Sequence, residues 1–495
     1  MDYDVIVIGS GIGGLTSASR LATLGYKVGV FEQHFIPGGY ATNFKRKGYE
    51  FDVSLHGTGG LEEGGNLYKI LSSCNVINKI IPLKNDIAYS IHYNDELIYI
   101  PNNIDEYKEL LINRFENEKS NIEKLFKDLY RFSNGFDKFI LQKNANFINK
   151  VHPDILLFIK WSSKTTYEVL IKYTTNEELI KIFTALWSYY GLPPKKLSSL
   201  YYFIPWISYH IHGKYYIKGG SQSLSNAFVD VIKSNNGQLH LKSCVTSILY
   251  EDKKVCGVKL DDGQVFKSKW IISNISPIKT YEMLPKKSLN KKEIVKINYD
   301  KIGCTLSQLY IGLDISPEKL NIPNDEIFFF EGTSHEDDYK MALENKYEES
   351  GFLLTNYNSM DKPSNHSDKG ILTMTYIDNY DYWSSDKEIY KKQKIEVTNK
   401  MINRLEKYYK GISSHIVVAE LGTPKTMERY TLNPKGAVYG YEQSVNQSGR
   451  YRLKKESSIS NLSFVGAWTN PGGGYEGSIS GGMVEAQRIS KILFK

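Results

Sequence analysis

Apolar positions at the start of the chain change their period almost at once. "DVIVIG" carries an unbroken apolar run from Val5 to Ile8, as a strand buried on both faces would. Leu15, Ala18, Leu21 and Ala22 then recur at helical spacing, and Gly25 stands where such a helix should stop. Val28 to Phe31 is a second short apolar run. The pattern predicts strand, helix, strand: the opening of a parallel sheet with a crossover helix.

Helical spacing dominates further along. Ile104 to Phe115 reads as a helix capped by Asn103, with Asp105 and Glu106 in its first turn. Ser120 and Glu123 are spaced as a capping box, with Ile122, Leu125, Phe126 and Leu129 on one face behind them. The periodicity runs to about Trp187, and "GLPP" from Gly191 breaks it. "DILLFIKW" is too short to span a bilayer and reads as a buried or interfacial segment. In "LYYFIPWISYHIHGKYY" alternation predicts a strand with His210 and His212 on one face. A helix is expected from Ser223 to Lys233, then short strands with turns at Asn236-Gly237 and Asp262-Gly263. Near the end, "NLSFVGAW" reads as a strand and "SGGMVEAQRISKILF" as a helix.

Glycine is dense at both ends of this pattern. Gly9, Gly11 and Gly14 fall in the GxGxxG register, between the first strand and its helix. Gly9 permits the sharp turn, Gly11 lets backbone approach a pyrophosphate, and Gly14 lets helix pack on strand. Ile12 and Gly13 share that turn, at a helix N-terminus suited to phosphate. Glu32 ends the second strand, where an acid holds a ribose hydroxyl pair, with Gln33 beside it. A glycine-rich turn of structural use only is the competing reading. Gly38 and Gly39 could lie against an extended cofactor, and Lys45, Arg46 and Phe51-Asp52 follow. The second dense stretch, "GAWTNPGGGYEGSISGG", includes Gly466, Gly473, Gly474, Gly477 and Ser478.

These residues carry a family resemblance. Glu32 to Gly39, "FKRKGYEFDV" and "GTPKTMERYTLNPKGAVYGYEQS" resemble the phytoene-desaturase-like flavoproteins of the amine-oxidase superfamily, especially the carotenoid cis-trans isomerase and retinol saturase branch. Many relatives carry Gly-Gly-Arg at the second motif; here Tyr40 replaces the arginine, and Arg46 is a candidate for the missing charge. The resemblance implies FAD. It implies an ADP half held near the N-terminus, a C-terminal segment along the flavin, and backbone contact from Val245 near the adenine. The fold class expected is α/β: a Rossmann-like FAD-binding domain assembled from residues 1–75, 215–285 and 420–495. A mixed-sheet substrate domain would take 76–214 and 286–419, with a helical cap at about 105–200.

Composition narrows the partners. The chain has 495 residues, 41% of them hydrophobic and 24% charged, as in ordinary globular proteins. Net charge is +7, with no block of like charge suited to nucleic acid. Four cysteines form no CxxC pair, and the ten histidines form no HExxH, so neither a metal site nor a disulfide framework is expected. No signal peptide or spanning segment is read, which suggests a cytoplasmic protein with, at most, peripheral membrane contact. Tyrosine is frequent, at 37 residues; it suits a lipophilic ligand, or merely nucleotide bias.

Flavin chemistry on carbon–carbon bonds asks little of side chains, so the lack of a triad is unremarkable. The resemblance puts two ionisable groups near the ring, His56 in "DVSLHGTGG" and Glu476 in the C-terminal stretch. Both are catalytic candidates; a structural hydrogen bond is the competing role for His56, and a solvent-facing carboxylate for Glu476. The first function expected is an FAD-dependent oxidoreductase that desaturates, saturates or isomerises double bonds of a lipophilic polyene, with its electron partner unnamed. An amine-oxidase-like or natural-product oxidase for a smaller polar substrate is the second. A non-enzymatic prenyl or lipid escort protein is the third.

Overall fold

The computed structural model describes residues 1–145, 152–323, 326–361 and 368–494. The predicted opening forms: strand Tyr3–Ile8, helix Ile12–Thr23 and strand Val28–Phe31, with Gly25 at φ +87° after the helix. Around them a parallel sheet is completed by distant pieces of chain. Gln238–His240 pairs with Val28–Phe31, Val265–Ser273 pairs with Tyr3–Ile8, and Leu462–Phe464 pairs with Val265–Ser273. Val265–Ser273 changes partner along its length. Its first residues pair antiparallel with Lys254–Leu260, which pairs in turn with Val245–Glu251. The hairpin turn passes through Gly263, at φ +88°.

A second, mainly antiparallel sheet runs in the order Ile416–Gly422, Thr305–Leu313, Gly370–Asp378, Phe352–Asn356, Glu326–Phe329, Ile87–Tyr93, Glu96–Pro101. A three-stranded sheet of Thr58–Gly59, Lys214–Ile217 and Pro82–Lys84 lies apart from both.

Helices between residues 104 and 212 share one apolar core. Helix Ile104–Arg114 is capped by Asn103, whose side chain accepts from the amides of Asp105 and Glu106. Helix Lys119–Ala145 buries Ile122, Leu125, Phe126 and Leu129, but Ser120 lies inside it and caps nothing, because a 3₁₀ turn, Glu116–Glu118, leads straight into it. "DILLFIKW" lies in helix Pro153–Ser162.

The stretch expected to be a strand with two same-face histidines is helix Ser199–His212. Tyr202, Phe203, Trp206, Ile207 and His210 are buried together at helical spacing, and burying that stripe outweighs the local alternation. Two residues apart on a helix, His210 and His212 point different ways: His210 is buried, and His212 pairs with Glu62 (2.5 Å). The helical layer therefore extends past Gly191 to His212. The expected C-terminal helix begins earlier than the glycines suggest, at Tyr475, so Glu476, Gly477 and Ser478 form its first turn. All four cysteines are free thiols, and among the described residues no cluster could hold a metal ion. Among the same residues no helix is long and apolar enough to cross a membrane.

Candidate active site

Both glycine-rich ends of the chain meet at one place. A Cβ on Gly13 would stand 2.9 Å from Gly466 Cα, and one on Gly482 would collide with the Gly13 carbonyl. Helices Ile12–Thr23 and Tyr475–Leu493 can cross this closely only because both contact faces are bare; Ser17 Oγ donates to Gly482 O across the crossing (3.1 Å). Neither helix has a side-chain cap at its start, where Gly11 and Gly474 stand. Both uncapped starts open on one large cavity, lined by Gly11, Ile12 and Gly13 from one and by Gly474, Tyr475 and Glu476 from the other. Each presents amide N–H groups and the positive end of a helix dipole.

Glu32 lines the same cavity. Its carboxylate accepts from Ser10 N (2.9 Å), Ser10 Oγ (2.6 Å) and His34 N (2.9 Å), which fixes its direction. Gln33, Gly9, Gly38, Gly39, Val245, Gly466, Gly473, Gly477 and Ser478 also lie on the wall. Gly14 does not: its place is under the helix, where a Cβ would stand 2.6 Å from Gly9 O. Arg46 does not either: it is exposed on strand Asn43–Arg46, 3.7 Å from Glu420, and supplies no charge to the wall. Tyr40, in the place of the relatives' arginine, lies on the wall. Its hydroxyl donates to Gly436 O (3.3 Å) and Ala437 O (3.2 Å), tying the second motif to the "NPKGA" turn, and burial pushes its phenol up to about 12.

Asn274 is the residue that sequence reasoning missed. It follows strand Val265–Ser273, and its Oδ1 accepts from Gly14 N (2.9 Å). Its side chain fills the space that Cβ atoms on Gly11 (2.5 Å) and Gly466 (2.7 Å) would need. One amide thus explains why Gly11 and Gly13 at one end of the chain and Gly466 at the other must stay bare. Its only sequence signal is a polar residue directly after a buried strand.

Beyond the glycine-lined end the cavity continues into the second sheet and helical layer, lined by Trp187, Leu306, Phe328, Phe330, Leu353 and Ile377. His56, Gly57, Thr58 and Glu476 stand on the wall of the same cavity. Ser208 Oγ donates to Glu476 Oε1 (2.8 Å), and a Cβ on Gly59 would come within 2.8 Å of the same oxygen. Glu476 is buried from bulk water, what surface it keeps faces the cavity, and burial raises its pKa to about 7. Tyr190 and Tyr209 lie near it, Tyr439 shares the wall, and Tyr209 donates to Gly57 O (2.9 Å). His56 Nδ1 lies 3.1 Å from both Thr355 Oγ1 and Tyr357 OH; burial, the largest influence, pulls its pKa below the ordinary value. Asp52 anchors the loop before it, accepting from Ser54 N, Leu55 N, Ser221 N and Tyr216 OH.

Comparison with known proteins agrees with this geometry. Residues 7–74 match the NAD(P)-binding Rossmann-like domain family. All-trans-retinol 13,14-reductase of Danio rerio is 26% identical over 504 residues, covering 94% of this chain and 82% of its own. Prolycopene isomerase 1 of an Oncidium hybrid cultivar is 27% identical, covering 99% and 84%. A 4,4'-diapophytoene desaturase of a Methylomonas species is 23% identical, covering 99% and 96%. These enzymes are homologues of this chain. Among solved structures, putrescine oxidase superposes with a TM-score of 0.65 at 13% identity, covering 99% of each chain. Rab GDI of Plasmodium falciparum does so at 0.53 and 14%, covering 99% and 98%. Both share the fold of this chain.

Proposed function

We propose that this chain is an FAD-dependent oxidoreductase that desaturates, saturates or isomerises carbon–carbon double bonds of a lipophilic polyene. The observation that carries this is the single cavity: two uncapped helix starts and bare glycine backbone at one end, an aromatic and aliphatic chamber at the other. The dinucleotide end fits FAD. Glu32 would take the ribose hydroxyls, the amides of Gly11 to Gly13 the diphosphate, Val245 backbone the adenine side, and Gly473 to Ser478 the flavin end. By this assignment residues 1–75, 215–285 and 420–495 carry the cofactor, and the remainder carries the substrate.

Bound flavin supplies exchange of a hydride or of single electrons with carbon. The chain supplies the rest. Trp187, Phe328 and Leu353 exclude water and hold an apolar chain. His56 and Glu476 each hold a proton site at the wall; Glu476, with a pKa near the working range, can give or take one near neutral pH. The relatives named for retinol, prolycopene and diapophytoene act on conjugated chains, which an extended apolar chamber suits.

The protein purified with its ligands should show a flavin absorption spectrum, and heat should release FAD rather than FMN. Its lipid extract should contain a conjugated polyene. FMN, or no flavin after reconstitution, would overturn the cofactor assignment. A small amine in place of the polyene would move the reading to an amine-oxidase-like enzyme, with Glu476, Tyr190 and Tyr209 as the cation site.

A further inference from the structure

Behind His56 lies an ion pair that cofactor binding does not call on. Lys214 opens strand Lys214–Ile217 of the small sheet, and Glu326 opens strand Glu326–Phe329 of the large one. Their side chains bond directly, with Glu326 fully buried and Lys214 5% exposed. Lys214 Nζ also donates to Ala88 O (2.8 Å). The lysine stem passes over Gly57, where any Cβ would collide with it. Removing two charges from water costs more than their attraction commonly returns, and an apolar pair would serve packing as well.

The pair is also incomplete. Glu326 Oε1 is buried and meets no donor at hydrogen-bond geometry, the Tyr189 hydroxyl lies towards the same carboxylate, and Oε1 stands 3.5 Å from His56 Nδ1. Nδ1 meanwhile faces the hydroxyls of Thr355 and Tyr357, each at 3.1 Å. While those hydroxyls donate, a neutral His56 carries its proton on Nε2, a nitrogen that no group among the described residues engages. When the ring takes a second proton, Nδ1–H meets the waiting oxygen. The other groups facing His56 are Asp52, whose charge favours the imidazolium, Tyr357, and Tyr189, whose ring stacks on it at 6.0 Å.

We propose that the Lys214–Glu326 pair sets the proton affinity of His56 at the cavity wall. Glu326 is the counter-ion for a protonated His56, and Lys214 holds the Glu326 carboxylate in place. Both are positioning residues. The inference deepens the oxidoreductase reading and rests on it for the use of that proton.

The test is a histidine-selective NMR titration of the holoprotein, with His56 assigned through His56→Gln. Glu326→Gln leaves Lys214 unopposed and should lower the His56 pKa by about one unit, tenfold in proton affinity; Lys214→Met should raise it by a similar amount. The double variant should return towards wild type. Shifts of the same sign in both single variants, or none, would overturn the proposal. Thr355→Val leaves the pair intact and keeps the question open to measurement if those variants do not fold. It should move the neutral tautomer towards Nδ1–H, and an unchanged tautomer would overturn the geometry. Opposite shifts combined with wild-type polyene turnover in His56→Gln would uphold the pair's action while removing His56 from the reaction.

Discussion

Glu32 and Glu476 are two carboxylates on one cavity with opposite surroundings. Glu32 accepts two backbone amides and a hydroxyl, so its carboxylate is held in one direction on the wall, as the proposed ribose contact requires. Glu32→Ala should weaken FAD binding by roughly 1–3 kcal/mol, the scale of a charge-assisted hydrogen bond, measured by titrating apoprotein with FAD. Glu476 has one hydroxyl, with Tyr190 and Tyr209 near it, and its pKa rises from 4.5 to about 7. The fold therefore favours its neutral form. That preference is complete below about pH 4.5 and is lost as pH rises to about 7, so stability falls across this window and is flat above it. Glu476→Gln should remove this component of the melting-temperature profile. With a polyene substrate it should also lower turnover about 10²–10⁴-fold while leaving FAD content intact. A loss confined to KM would make Glu476 a substrate anchor instead.

At the scale of elements, the site is held by close approaches between segments far apart in sequence. Helix Tyr475–Leu493 crosses helix Ile12–Thr23 at Gly482 and Gly13, where no side chain fits. Gly482→Ala should lower stability by about 1–3 kcal/mol, the usual cost of overpacking, read by denaturant unfolding. Asn274→Ala removes the acceptor for Gly14 N and empties the space among Gly11, Gly13 and Gly466. It should cost a similar amount in stability and slow FAD uptake, because the turn that meets the diphosphate loses its support. The first strand, helix and strand were legible because each carries its own period and terminator. Helix Ser199–His212 was not, since the local alternation around His210 and His212 hid a stripe at helical spacing that only burial against other helices reveals. The early start of helix Tyr475–Leu493 was hidden for a related reason. Its first turn holds Gly477, a poor helix former, and tertiary contact rather than propensity keeps it helical.

Across the whole molecule, the parallel sheet takes its strands from near residues 5, 30, 239, 270 and 463. Such a sheet closes only when its last strand arrives. A chain ending at Asn461 should fail to bind FAD and should lose cooperative unfolding by circular dichroism, although the whole GxGxxG turn and Glu32 remain. What the sequence determined alone was local: the strand, glycine turn and helix at the start with Glu32 behind them, and the Asn103 cap. These signals lie within one or two elements, where spacing along the chain equals spacing in space. Tertiary structure alone decided that Asn274 locks the two glycine segments from the ends of the chain, that Arg46 stays outside the wall, and that Tyr40 reaches the "NPKGA" turn. It also decided that Ser208 and Gly59 meet Glu476, and that Lys214 and Glu326 stand behind His56. These partners are brought together by packing of separate sheets and helices, and no periodicity in a single segment records where another segment will lie.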